Sequence, residues 1–97
     1  ITLAAAALSA QTFGELSGTV TDRSQAGIGA ARIRVTNQAS GLLRQVETSG
    51  AGVYRVGFLT PGRYEVTVES DGFKKATRRD VDVQIDVVAR LDFALEI

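Results

Sequence analysis

The sequence predicts an all-β protein, a single antiparallel Greek-key β-sandwich of about seven strands. Three observations support this prediction. Apolar and polar residues alternate along short segments, clusters of turn-forming residues separate these segments, and no helical period follows residue 10. The chain has 97 residues, which is enough for one small domain, and its 44% hydrophobic content is sufficient for a packed core.

The clearest pattern spans residues 50–73, where two alternating strands flank a proline–glycine corner. Pro61 fixes φ at the first corner position, and Gly62 tolerates a positive φ at the next. The two strands are therefore expected to pair as a hairpin around which the other strands pack. Their aromatic and β-branched residues share one face and are predicted to be buried, namely Tyr54, Val56, Phe58, Tyr64, Val66 and Val68.

The remaining strands are shorter or less regular. Gly18 lies within the first of them, which indicates a β-bulge or a closely approaching backbone. Gly72 marks a turn before the last third of the chain. Strands are predicted over residues 14–22, 31–36, 43–48, 76–79, 81–85 and 91–95, and the further core positions are Leu16, Val20, Ile33, Val35, Val83, Ile85, Leu91, Phe93 and Leu95.

The first ten residues, ITLAAAALSA, are apolar and end in small side chains. This pattern is typical of the hydrophobic region and cleavage site of a secretory signal peptide, with cleavage expected after Ala10. The stretch is too short to span a bilayer. The alternative is a tail or an additional strand of the domain. The sequence thus divides into a signal-peptide remnant (1–10), a short linker (11–13) and a domain (14–97), and it predicts an exported protein.

The composition argues against several classes of function. Eleven basic and eleven acidic residues give no net charge, whereas nucleic-acid binding usually needs a basic face. The chain has no cysteine and no histidine, so thiolate chemistry, the commonest zinc ligand and the commonest general acid–base group are missing. Asp80, Asp82 and Asp86 match the polar face of a strand better than a calcium loop. We therefore predict a non-enzyme with no catalytic, cofactor or metal site.

Two features are candidate surface contacts. Phe73, after the Gly72 turn, and Phe13 are the aromatic residues expected to be exposed, and an exposed ring can stack on a sugar. A local basic cluster can contact phosphates or anionic headgroups, although edge protection is the alternative interpretation. The cluster consists of Lys74, Lys75, Arg78 and Arg79.

With its strands placed, the chain resembles the carboxypeptidase regulatory-like domain, a transthyretin-like or prealbumin-like sandwich. The resemblance covers residues 14–97. One departure is Ser49, since an aspartate often follows the preceding threonine in this family. The matching segments are Gly18–Asp22, Gly29–Val35, Thr48, Gly52–Tyr54, Leu59, Pro61–Tyr64, Val66–Val68, Gly72–Phe73 and Leu91–Leu95.

The resemblance implies a non-catalytic module. In metallocarboxypeptidases such a domain follows the catalytic domain, and in bacteria similar domains lie at the N-terminus of Oar-like TonB-dependent outer-membrane receptors. It therefore implies a periplasmic N-terminal extension whose partners are the rest of a larger outer-membrane protein and other periplasmic proteins. A carbohydrate-binding or adhesive module of a secreted protein is the alternative.

Overall fold

Eight strands form two facing sheets in the computed structural model, which describes residues 12–97. The predicted all-β sandwich is confirmed. The predicted signal segment, Ile1–Ala10, lies outside the described residues. Within residues 12–97 no helix is long and apolar enough to cross a membrane. The strands are β1 (Gly14–Thr21), β2 (Arg32–Asn37), β3 (Leu43–Glu47), β4 (Val53–Leu59), β5 (Gly62–Glu69), β6 (Ala76–Val83), β7 (Val88–Arg90) and β8 (Phe93–Ala94).

Strand β1 lies at the centre of one sheet, between β4 and the pair β7 and β8, while the other sheet has the order β3-β2-β5-β6. β1 pairs antiparallel with β4 but parallel with β7 and β8. The sequence did not predict the parallel pairs. The chain reaches β7 by crossing from β6 in the opposite sheet, so no tight hairpin sets the direction of β7.

The core lies between the sheets and follows the alternation of the sequence. Buried and half-buried residues alternate along the whole of β1 and most of β5. Phe73 and Leu91 are half-buried and pack against this core. The buried hydrophobic residues are Leu16, Val20, Ala31, Ile33, Val35, Tyr54, Val56, Leu59, Tyr64, Val66, Val68, Val83, Phe93 and Leu95.

The Pro61–Gly62 corner does not close a hairpin, and this part of the prediction is wrong. β4 pairs with β1, whereas β5 pairs with β2 and β6 in the other sheet. The corner therefore carries the chain across the sandwich. Gly62 has φ of 151°, and the Tyr64 hydroxyl donates to the carbonyl oxygen of Thr60 at 2.6 Å, which fixes the crossing. Alternation along both strands is the same in a hairpin and in a crossing between sheets.

Two predicted core residues are exposed. Phe58 has 77% of its surface accessible because its φ of 56° interrupts the alternation, and Leu59 takes the buried position instead. Ile85 is 45% exposed because β6 ends at Val83, and the chain turns through residues 84–87. The reversal at Asp86, with φ of 59°, is part of that turn.

The predicted strands over 76–79 and 81–85 are one strand, β6, with an irregularity at Asp80. Asp80 has φ of 57°, and the register with β5 shifts between Tyr64 and Val66. The amide of Gln38 holds this bend from both sides. Its nitrogen donates to the Asp80 carboxylate at 3.0 Å, and its oxygen accepts the Asp80 backbone N–H at 2.8 Å.

Gly18 allows the C-terminal segment to lie directly against β1, which confirms the predicted close backbone approach. A β-carbon at Gly18 would overlap the carbonyl oxygen of Leu91. The backbone N–H of Leu91 donates to the Ser17 carbonyl at 2.9 Å. The Tyr54 hydroxyl donates to the Leu91 carbonyl, and burial raises the pKa of this phenol.

The carboxylate of Asp92 also holds the C-terminal segment against β1. It accepts hydrogen bonds from the backbone N–H of Thr19 at 2.8 Å and from the Thr19 hydroxyl at 3.2 Å. The backbone hydrogen bond is the largest cause of its lowered pKa, and the Arg90 guanidinium lowers the pKa further.

We expect Asp92 to contribute to the acid sensitivity of the domain. Because its folded pKa lies below the unfolded value of about 3.9, its contribution to stability is present above that pH. The contribution is lost as the pH falls through the folded pKa. Thermal unfolding between about pH 7 and pH 2.5 should therefore show that Asp92→Asn lowers the melting temperature at neutral pH. The difference from the unmodified chain should shrink in acid, and a constant difference would contradict this assignment.

Candidate functional site

An open groove of about 550 Å³ crosses the outer face of the β4-β1-β7 sheet, at the end where β1 begins. Phe13, which precedes β1, and Phe58 at the end of β4 provide its aromatic surface. Val87 and Val88 provide an aliphatic surface, and they are 45% and 57% exposed. A volume of this size is within the range of small-ligand sites.

The two aromatic rings contact each other. The centroids of Phe13 and Phe58 are 5.9 Å apart, and the planes meet at 80°, an edge-to-face arrangement. Phe58 has a left-handed backbone conformation, in which a residue with a β-carbon is disfavoured by about 1–2 kcal/mol. The Phe58 ring is thus exposed to solvent, and the backbone conformation that places it there costs free energy.

The groove is polar where β1 and β4 run side by side. Arg55 and Glu15 form a two-point ion pair, in which Nη2 of Arg55 lies 3.0 Å from Oε1 of Glu15 and Nε contacts Oε2. The hydrogen bond that Arg55 donates to the Glu15 carboxylate raises the pKa of Arg55. Asp86 also lines the groove, and its backbone N–H donates to the Phe13 carbonyl at 3.0 Å.

Gly57 leaves the groove open between Arg55 and Phe58. A β-carbon built at this position would have no atom within 4 Å. Its φ is outside the left-handed region. Side chains can therefore be introduced at Gly57 without strain, and they would fill the groove.

The basic residues selected from the sequence do not form one patch. Arg78 lies over the Phe93 ring, 5.9 Å from its centroid, while Arg79 forms an ion pair with Glu65 at 3.0 Å. Lys74 and Lys75 are exposed on the segment before β6. Phe73 packs against the core rather than standing free.

Sequence reasoning recognised one member of the groove, Phe13, and missed the rest. Phe58 follows the alternation of β4 and was predicted to be buried, so its pattern carried no sign of exposure. Val87 and Val88 did give a signal, since two adjacent valines beside a turn fit neither a loop nor an alternating strand. Among the described residues, no group of three or more acidic, histidine or cysteine side chains is placed to hold a metal ion.

Several solved structures share this fold. The Bacillus anthracis TIE protein is 21% identical with a TM-score of 0.75, over 88% of this chain and 16% of that protein. Chlorocatechol 1,2-dioxygenase from Pseudomonas putida is 18% identical with a TM-score of 0.71, over 89% of this chain and 61% of the enzyme. A Bacteroides uniformis protein described as carbohydrate-binding is 18% identical with a TM-score of 0.68, over 84% of this chain and 40% of that protein.

These similarities establish the fold, and this chain spans less than two thirds of each of these three proteins. No curated protein sequence matches significantly. The family comparison is more specific, because the model of the carboxypeptidase regulatory-like domain matches residues 15–96. That range includes all but the first residue of β1 and every later strand. The chain therefore belongs to the carboxypeptidase regulatory-like domain family, whose members are non-catalytic β-sandwich domains.

Proposed function

We propose that this domain is a non-catalytic interaction module in the periplasmic N-terminal extension of a TonB-dependent outer-membrane receptor. Family membership supports the modular, non-catalytic part of the proposal. The signal-like sequence of residues 1–10, directly before the domain, supports export. Its partners would be the rest of the receptor and other periplasmic proteins.

The observation that carries an interaction role is Phe58. Exposing a large aromatic ring is unfavourable in water, and a left-handed φ is unfavourable for any residue with a β-carbon. Neither cost is offset by burial, since 77% of Phe58 is accessible. Backbone outliers concentrate at functional sites. We infer that the Phe13–Phe58 groove is the contact surface of the module.

Cell fractionation tests the receptor assignment. An antibody raised against residues 14–97 should detect a band far larger than the 10.3 kDa of this chain, in the outer-membrane fraction of the source cells. A small band in the soluble exported fraction would contradict the receptor assignment and leave an autonomous module. A cytoplasmic band would contradict export itself.

Carbohydrate binding is the second candidate, and the exposed face of Phe58 favours it. An aromatic ring can pack against the apolar face of a sugar, and the neighbouring Arg55–Glu15 pair offers donors and acceptors for its hydroxyl groups. The similarity in fold to the Bacteroides uniformis protein described as carbohydrate-binding is consistent with this candidate.

A glycan array separates the two candidates. For a carbohydrate module, we expect the chain to bind one class of glycan, Phe58→Ala to lose at least about tenfold in affinity, and Leu43→Ala to bind unchanged. Leu43 is a matched control because it is 53% exposed but lies on β3, outside the groove. Absence of binding, or equal loss in both variants, would contradict a carbohydrate site in the groove.

A further inference from the structure

We propose that two copies of this chain associate through their β4 strands, which pair antiparallel and join two β4-β1-β7 sheets. The inference goes beyond the receptor assignment and does not depend on it. It rests on the hydrogen-bonding register of β4, on the chemistry of the four sheet edges and on the self-complementarity of one short segment.

The register shows which backbone groups of β4 point outward. The backbone N–H of Val20 donates to the Gly52 carbonyl at 2.7 Å, so Val20 and Gly52 form a hydrogen-bonded pair. By the antiparallel alternation, Gly18 and Tyr54, and Leu16 and Val56, are hydrogen-bonded pairs as well. Arg55 lies between two of these pairs and directs its N–H and C=O groups away from β1. Gly57 follows Val56 in the same alternation, before the register shift at the left-handed residue Phe58, so its groups also face outward. Within residues 12–97, β4 ends its sheet, and no strand pairs with this edge.

Val53 confirms the outward direction, because it belongs to the same alternating set. Its carbonyl accepts the backbone N–H of Ser49 at 2.9 Å, and its N–H donates to the Ser49 hydroxyl at 3.2 Å. The turn at Ser49 thus provides hydrogen-bond partners for both outward-facing backbone groups of Val53. Arg55 and Gly57 lie beyond the reach of this turn and present their backbone groups to a partner.

The other three edges carry features that discourage strand pairing. β7 is only three residues long. β6 is bent at Asp80 and carries Arg78 and Arg79. β3 presents a polar run, Arg44–Gln45, followed by Val46 and Glu47.

β4 has such features only at its C-terminal end, where Phe58 is left-handed, the register with β1 shifts and Arg44 donates to the Phe58 carbonyl at 3.4 Å. Residues 55–57 lie before this irregularity. The single charged residue of β4, Arg55, is already paired with Glu15. The strand contains neither proline nor lysine, and two of its own residues, Val53 and Phe58, are 49% and 77% exposed. Such an edge is suited to the addition of another strand.

A second copy fits this edge because residues 55–57 are complementary to themselves. A two-fold axis beside Val56 places Arg55 of each copy opposite Gly57 of the other, and each such pair exchanges both backbone hydrogen bonds. Gly57 has no side chain, so the long side chain of Arg55 from the other copy has room above it. The chain carries no net charge, so long-range repulsion between copies is small.

Sedimentation equilibrium of the 97-residue chain, from about 10 µM to 1 mM, tests the proposal. We expect the average mass to rise with concentration from 10.3 kDa toward twice that value. Gly57→Pro removes an outward N–H at an edge position where proline is tolerated. It should weaken association at least about tenfold while the circular dichroism spectrum stays unchanged.

Gln45→Pro is the matched control, because it removes an outward N–H from the β3 edge. Asn37 N–H donates to the Leu42 carbonyl, which sets the alternation of that hairpin and leaves Gln45 facing outward. Association should be unchanged in this variant. A monomer at every concentration, or association that Gly57→Pro leaves intact, would overturn the proposal.

Amide exchange gives a second test that needs no variant. The N–H groups of Arg55 and Gly57 should exchange more slowly at high concentration than at low concentration. The N–H of Gln45 should exchange at the same rate in both samples. Concentration-independent exchange at Arg55 and Gly57 would exclude pairing through β4 even if the chain associates by another surface.

Discussion

Replacing Gly18 by alanine should lower the free energy of unfolding by about 3 kcal/mol or more. The added β-carbon would overlap the Leu91 carbonyl oxygen and lie 2.7 Å from its carbonyl carbon. Backbone atoms cannot rotate away as a flexible side chain can. The C-terminal segment must therefore move off β1, which disrupts the bond from Leu91 to Ser17 and the bond from Thr19 to Asp92.

Urea denaturation of Gly18→Ala, with Gly57→Ala as the control, measures this effect. Both glycines lie in strands of the same sheet, but the space around Gly57 is open. The control should stay within about 0.5 kcal/mol of the unmodified chain. Equal stability of the two variants would show that the C-terminal segment does not need the close approach at Gly18.

Replacing Tyr64 by alanine should destabilise the domain by about 3–5 kcal/mol. The ring is 97% buried, since only 3% of its surface is accessible, and truncation would leave a cavity between the sheets. The hydroxyl also holds the crossing from β4 to β5 through Thr60, at 2.6 Å from its carbonyl oxygen and 3.0 Å from its hydroxyl. A domain of this size is stable by only about 5–15 kcal/mol, so much of its stability depends on this residue.

Tyr64→Phe separates the ring from the hydroxyl. It keeps the packing and removes only the bonds to Thr60, so we expect a loss of about 1 kcal/mol. Thermal and urea unfolding of both variants should therefore place phenylalanine close to the unmodified chain and alanine far below it. An unchanged melting temperature for Tyr64→Ala would contradict the place of Tyr64 in the core.

The sequence is sufficient to predict the sandwich because burial imposes a period of two on each strand. Leu16, Val20 and Ile33 are all found where this period places them. The same period does not reveal which strands pair, since it is identical whether β4 and β5 form a hairpin or belong to opposite sheets. The period also gives no sign of a single left-handed residue. For that reason the sequence predicts Phe58 to be buried, whereas its side chain is exposed.

The groove could not be predicted because its residues come from separate parts of the chain. Phe13, Phe58 and Val87 meet only when β1 is flanked by β4 and β7, and the parallel pairing that brings β7 there has no local sequence pattern. The residues of the basic cluster are divided for the opposite reason. Arg78 and Arg79 are neighbours in sequence, but successive residues of a strand point to opposite sides.

The parallel alignment of β1 and β8 has a mechanical consequence. β1 begins at Gly14 and β8 ends at Ala94, and these two positions lie at opposite ends of two strands that run in the same direction. Tension applied through these two ends would pull β1 and β8 past each other along their length. The bonds from Leu91 to Ser17 and from Leu95 to Thr21 would then bear the load together rather than break one after another. We expect this geometry to make the domain resistant to stretching along the chain.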